Sequence, residues 1–221
     1  MQGAGEERAE PYVLVRWRST GACNKTDAIF MREITFDIET KNLIPVFGKE
    51  ASKMDISIVG IHDSETGLYT SYSEEEFPQL WSIIEKADVL IGFNSDSFDI
   101  PILNSYYPGD LTKIRSLDLL VEVQKMLGRR LRLQSLAEAT LGVGKSASGI
   151  KAVEWWQAGE YQKVRDYCLQ DVKVTRELYE YAREHGKVKY KDLKGTKELK
   201  LDTSTWDTPS EESSFTHTLG L

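Results

Sequence analysis

Cysteine is nearly absent from this 221-residue chain. Cys23 and Cys168 are the only two, too few for a disulfide framework, and nothing in them points to an oxidising compartment. Histidine is almost as scarce: His62, His185 and His217 lie far apart and lack zinc-ligand spacing. No apolar run approaches the roughly 18 residues that a membrane span needs. Near the N-terminus Glu6, Glu7 and Glu10 stand where a signal peptide would carry an apolar stretch. The cytoplasm is the default expectation. Positive charge is also short, with 28 Lys and Arg against 35 Asp and Glu and a formal charge of −7. That argues against binding nucleic acid by bulk charge, but not against an enzyme that meets phosphates through bound metal ions. The remainder, 40% hydrophobic and 29% charged, suits one domain with a sizeable core.

The pattern predicts an N-terminal extension over residues 1–30, polar and aperiodic apart from a stray strand at 12–17, and a folded domain over 31–203. Strands are expected at 32–40, 55–62, 67–72 and 88–93, where apolar residues alternate or run together between turn signals. Ser73 and Glu76 form a capping box, opening a helix whose apolar face includes Phe77, Leu80, Trp81 and Ile84. Helices are expected at 98–107, 117–127, 134–141, 152–158 and 160–184, punctuated by Pro108-Gly109, Gly128 and Gly142. A small hairpin over 187–201 turns at Lys194-Gly195, and a disordered tail fills 204–221. Strands first and helices after indicate an α/β domain with a mixed sheet flanked by helices.

Asp37-Ile-Glu39 places two carboxylates on one face of a strand whose other face is apolar. Chance supplies roughly one Asp-x-Glu in a chain of this composition. A second, Asp63-Ser-Glu65, lies in a turn and reads as surface decoration. Tyr-x-x-x-Asp also occurs twice: Tyr106 to Asp110 spans Pro108, whereas Tyr167 to Asp171 shares one face of an unbroken helical pattern. Asn94 to Asp99 closes a strand and opens a helix, with Asp96 the obvious cap and Asp99 a dipole-favoured acid. Gly142-Val-Gly-Lys145-Ser146 mimics the end of a P-loop, but Ala139 stands where glycine is required and no strand precedes it. Cys168 faces away from Tyr167 and reads as core. Of the adjacent Trp155 and Trp156, one should reach the core and the other is free to stack on a base. The basic residues Lys113, Arg115, Lys125, Arg129, Arg130 and Arg132 read as a solvated helix face or as phosphate contacts.

In their order and setting these motifs resemble those of the DEDD superfamily of 3′–5′ exonucleases, which have a ribonuclease H-like fold. Phe36 to Thr40 resembles the first motif and Asn94 to Asp99 the second. Tyr167 to Val172 is similar to the third in the tyrosine form of family B DNA polymerase proofreading domains, since the histidine form needs His at 166, where Asp166 stands. The segment from Leu133 to Gly142, with Lys145, resembles the helix and loop between the second and third motifs. Trp155-Trp156 is similar to the YprB-type branch, found alone or beside helicases. The likeness covers about residues 31–190.

The resemblance implies two Mg²⁺ or Mn²⁺ ions, which suit four carboxylates without His or Cys ligands. Asp37 would bridge both, Glu39 and Asp171 would hold the nucleophile-side ion, and Asp99 would support the second. Two ions roughly 3.5–4 Å apart activate a water and stabilise the departing 3′ oxygen. The Tyr167 phenol, with a free pKa of about 10, would orient the water rather than deprotonate it. Asn94, Leu43 as an apolar wedge, Arg129, Arg130 and Lys145 are the candidate substrate contacts. DNA or RNA with single-stranded 3′ ends is the implied substrate, and a helicase the implied partner. Two other readings stand beside this one: an inactive module that binds nucleic acid or a helicase, and a structure-directed endonuclease.

Overall fold

A computed structural model describes residues 31–43, 54–144 and 148–208. The expected extension over 1–30, the stray strand within it, Lys145 and most of the tail lie outside the described residues. Five strands form one sheet in the order β3-β2-β1-β4-β5: β1 (Glu33–Thr40), β2 (Ile56–Asp63), β3 (Leu68–Tyr72), β4 (Val89–Gly92) and β5 (Ser116–Asp118). β2 runs antiparallel to β1 and β3, while β1, β4 and β5 are parallel. One face is covered by α1 (Phe77–Ile84) and α2 (Asp99–Asn104), which close a core around Ile34, Phe36, Val59, Ile61 and Leu90. The other carries α3 (Leu119–Leu127), α4 (Leu133–Leu141), α5 (Gly149–Gln157) and α6 (Tyr161–His185). The mixed sheet flanked by helices is therefore as the sequence predicts. Among the described residues no helix is long and apolar enough to cross a membrane.

β1 is built from two stripes. Ile34, Phe36 and Ile38 face the α1–α2 core, and Glu33, Thr35, Asp37 and Glu39 face the opposite side. Polar side chains recur every fourth residue along α6: Tyr167, Asp171, Thr175, Tyr179 and Arg183. At the far end Glu33 accepts hydrogen bonds from the Tyr179 hydroxyl and from Arg183, both at 2.8 Å. Helix and strand run antiparallel, so the acids of the other end meet one another. The close approach is allowed by Gly60 on β2: a Cβ there would lie 2.9 Å from Cys168 Sγ and 3.1 Å from Val172. A glycine inside a strand marks such a contact.

Four details correct the reading from sequence. Residues 117–127 are not one helix, because Ser116–Asp118 pairs with β4 before α3 begins. Asp96 does not cap α2; it accepts from Ser116 Oγ at 2.5 Å, and the helix starts at Asp99 behind Phe98. Packing extends past residue 203: Trp206 is buried and stacks on Tyr179, and Arg115 donates to the carbonyls of Thr205, Trp206 and Thr208. Asp63 is not decoration. It is 4% exposed and accepts two bonds from the Arg32 guanidinium, at 3.1 and 2.7 Å, together with the Glu65 amide. The capping box and the hairpin β6 (Lys187–Asp192) with β7 (Gly195–Lys200) are where the sequence places them.

Burial would raise the Asp63 carboxyl, but Arg32 and the Glu65 amide outweigh it and hold it below the usual range. A depressed pKa contributes stability that is full above the unfolded value of about 4 and lost as pH falls below it. Asp63→Asn should destabilise the fold by about 1–2 kcal/mol at pH 7, by leaving the half-buried Arg32 with only the exposed Glu65 as an ion-pair partner. Urea unfolding at pH 7 and at pH 3 checks this. The deficit should shrink in acid, and an Asp63→Asn protein as stable as wild type at pH 7 would return Asp63 to the surface class.

Candidate active site

Three segments converge at the carboxyl end of β1. One carboxylate oxygen from each of Asp37, Glu39 and Asp171 lies within 4.8 Å of the others. Asp37 and Glu39 share a face because strand side chains alternate, and Asp171 faces them from α6. Asp99 joins from the second motif, its Oδ1 accepting the Ile38 amide at 3.2 Å. β1 needs this bond. Its pairing with β4 stops at Thr35 opposite Ile91, so Ile38 N lies past the end of its neighbour and would otherwise be a buried donor without a partner. The cluster lies where the connections from β1 and β4 diverge, the position favoured for ligands in open α/β sheets.

The second-motif loop is held by a residue that sequence reasoning missed. The buried Asp118 accepts from the amides of Asn94 at 2.7 Å, Asp96 at 3.1 Å and Leu120 at 2.8 Å. It joins the loop to the start of α3, and its place before Leu-Leu-Val was the available cap signal. Asn94 takes a left-handed conformation, φ 67°, which asparagine tolerates better than most residues. Gly92 leaves room for Ser95, since a Cβ would fall 2.4 Å from it. Cys168 is buried as expected, but it is also a neighbour of the acids, its Sγ 3.4 Å from Asp37 O and 3.7 Å from Oδ2.

Tyr167 hydrogen-bonds to Asp171 one turn on, and Trp155 meets its ring edge-on at 6.3 Å between centroids. Neither tryptophan is fully buried: Trp156 packs on Tyr161 at 4.6 Å with Lys41 over its ring, so the division into one core and one free ring is replaced by two half-buried ones. Arg130 donates to Asn94 Oδ1, which also accepts from Ser97. Arg129 instead lies over Tyr190, 5.7 Å from the centroid. Leu43 is exposed three residues beyond β1.

Burial first, and neighbouring carboxylates second, push Asp37 and Glu39 well above the usual range. Burial likewise raises Asp99 to about 7, against the lowering effect of the Ile38 amide. It raises Asp171 to about 6, against the Tyr167 bond. Burial and the same acids also raise the phenol of Tyr167, so it stays protonated. Among the described residues none of the four acids has a salt-bridge partner. An all-oxygen donor set with uncompensated negative charge fits a hard divalent cation such as Mg²⁺ or Mn²⁺.

Acids raised on folding bind more protons in the native state. Stability should therefore fall as pH rises from about 4, where the unfolded acids ionise, through the values near 6 and 7. A bound cation offsets this loss. Millimolar Mn²⁺ should raise the melting temperature by roughly 5 °C at pH 8 and much less at pH 5, where protons hold the site. An equal rise at both pH values would place the cation elsewhere. Gly60→Ala should cost about 1–3 kcal/mol by forcing α6 off the sheet, and Cys168→Ala in the same chain should recover part of it. Additive losses in that double-mutant cycle would show that the two residues do not share the contact.

Known proteins share this arrangement of strands and helices. The family B DNA polymerase from the hyperthermophilic archaeon Pyrobaculum calidifontis superposes with a TM-score of 0.56 at 18% identity, over 72% of this chain and 25% of the polymerase chain. At that identity the likeness is one of fold, and this chain spans about a quarter of the polymerase's length. Among curated proteins none matches the sequence significantly. The family described as the RNase_H superfamily matches residues 34–183. That match takes in more than half of the chain, from the strand that carries Asp37 and Glu39 to the helix that carries Tyr167 and Asp171, and the chain belongs to the RNase_H superfamily.

Proposed function

We propose that this protein is a metal-dependent 3′–5′ exonuclease that hydrolyses phosphodiester bonds at single-stranded nucleic-acid ends. One observation carries the reading: three carboxylates from two segments distant in sequence, β1 and α6, meet within 4.8 Å, with a buried fourth acid from a third segment bonded to the strand between two of them. Asp37, Glu39, Asp99 and Asp171 are the proposed ligands of two Mg²⁺ or Mn²⁺ ions. Bound there, the ions would supply an activated water and neutralise the charge on the departing oxygen.

The side chains have separate tasks. Tyr167, protonated and steadied by Trp155, offers a hydroxyl that orients the attacking water and is too weak an acid to act as its base. Asn94 and Arg130, joined by a hydrogen bond, are the proposed contacts of the terminal phosphate or sugar. Leu43, exposed beyond β1, is the proposed apolar wedge against the last base. Lys145 and Arg129 complete the proposed phosphate contacts. A helicase that exposes single strands is the proposed partner, and the cytoplasm the proposed setting.

End-labelled DNA and RNA, single- and double-stranded, should give a ladder from the 3′ end with Mg²⁺ or Mn²⁺ and none with EDTA. Internal cuts would mark an endonuclease, and binding without cleavage an inactive module. Asp37→Asn should abolish cleavage and weaken metal binding measured by calorimetry. Tyr167→Phe should lower the maximal rate about 10²-fold while leaving metal affinity near wild type. Full activity in Tyr167→Phe would remove the phenol from the mechanism.

A further inference from the structure

The chain is acidic overall, yet positive charge gathers on the β6–β7 hairpin. Residues 187–200 hold Lys187, Lys189, Lys191, Lys194, Lys197 and Lys200 against Asp192 and Glu198, a net +4 in a chain of −7. The register sorts these side chains. Lys187, Lys189 and Lys191 of β6 share a face with Thr196, Glu198 and Lys200 of β7, while Val188 and Leu199 pack into the core from the other. Lys187 stands directly opposite Lys200. A like-charge cross-strand pair costs stability, and the apolar face would anchor the hairpin whatever charge the outer face carried. A local preference broken without structural need is expected where a surface has another task. Lys187 and Lys191 have carboxylate partners in Glu198 and Glu138. Lys189, Lys197 and Lys200 form no salt bridge among the described residues.

The hairpin is continuous with the rim of the acidic site. Arg130 holds Asn94, whose loop ends in Asp99. The adjacent Arg129 lies over Tyr190 of β6, and Tyr190 sits opposite the exposed Lys197 of β7. Both are on the face of the hairpin that also bears Val188 and Leu199, so the track would reach Lys200 and Lys189 on the other face across the exposed β7 edge. Cations therefore lead from the acids outward along the α3–α4 turn and onto the hairpin. A cluster of carboxylates repels a polyanion everywhere except at its metals, so a strand held there gains from cations further along its length. We propose that the β6–β7 hairpin is the docking surface for the phosphate backbone of the single strand whose end enters the acidic site. This rests on the exonuclease reading. Continuity with Asn94 favours a strand over an anionic lipid surface, which would have no use for the acidic end of the track.

The test is Lys189→Gln/Lys197→Gln/Lys200→Gln in the full chain, with the matching Lys→Arg triple as control. Anisotropy of a long labelled single strand in EDTA, across a salt series, should show affinity reduced roughly tenfold and a log–log salt slope shallower by about 2. The Arg triple should bind as wild type does. With Mn²⁺ the Gln triple should show a raised KM on the long strand and an unchanged rate on a dinucleotide too short to reach the hairpin. Melting temperatures should not fall, since relief of the Lys187–Lys200 repulsion favours the fold. An unchanged salt slope in the Gln triple would overturn the proposal, as would wild-type binding to phosphatidylserine vesicles but not to the strand. Hairpin-dependent binding by a wild-type protein that cleaves nothing would uphold the docking surface and overturn the exonuclease reading.

Discussion

Like charges confined to one buried corner are the constraint around which this molecule is built. Asp37, Glu39, Asp99 and Asp171 oppose both burial and one another, so the elements bearing them must be held by something else. On α6 that is the apolar face of Val164, Cys168, Val172, Leu178 and Ala182; on β1 it is the reverse face of Ile34, Phe36 and Ile38. Each fully buried aliphatic side chain contributes about 1.5–3 kcal/mol, and there are several for each acid. The hydrophobic layers thus fix the acids in place, and the acids retain their affinity for a cation because the fold does not neutralise them.

Two carboxylates that hold backbone amides set the shape of the site. Asp99 satisfies the strand amide left over where β1 outruns β4, and Asp118 gathers four amides of the loop and helix beside it. The first bond locates an acid of the cluster, and the second locates Asn94 and through it Arg130. The two parts of the site are consequently tied to the adjacent strand ends of β1, β4 and β5 rather than to separate loops.

Much of this was legible in the sequence because the signals are local. Asp37 and Glu39 stand two apart in a strand, Tyr167 and Asp171 four apart in a helix, and Ser73 three before Glu76; each pattern declares which face it occupies. What escaped notice depends on distant partners. Asp63 looked like a turn residue because Arg32, which buries it, lies 31 positions away. β5 is three residues long and runs straight into a helix, so Leu-Asp-Leu-Leu-Val shows only helical periodicity. Trp206 is anchored by Tyr179 and lies in a stretch whose composition reads as a tail. The contact of Cys168 with Asp37 follows from Gly60, a glycine whose meaning appears only once helix and sheet are packed.

The two polar stripes, every second residue of β1 and every fourth of α6, act as a vernier. Four helical residues advance ~6 Å and two strand residues ~6.6 Å, so the scales coincide at one end and drift by ~0.6 Å per step. Short acids occupy the end where Asp171 meets Asp37 and Glu39. At the other end the long side chains of Tyr179 and Arg183, from successive steps of the helix scale, both reach the single carboxylate of Glu33. The lag is absorbed where side-chain length can absorb it, leaving the cluster in register. Such a device tolerates exchange of side chains along its length far better than a change in count. One residue inserted within β1 would exchange its faces, and one inserted within α6 would turn the stripe by ~100°, so that the chain length between Glu33 and Glu39, and between Asp171 and Arg183, matters more than the identity of most residues between them.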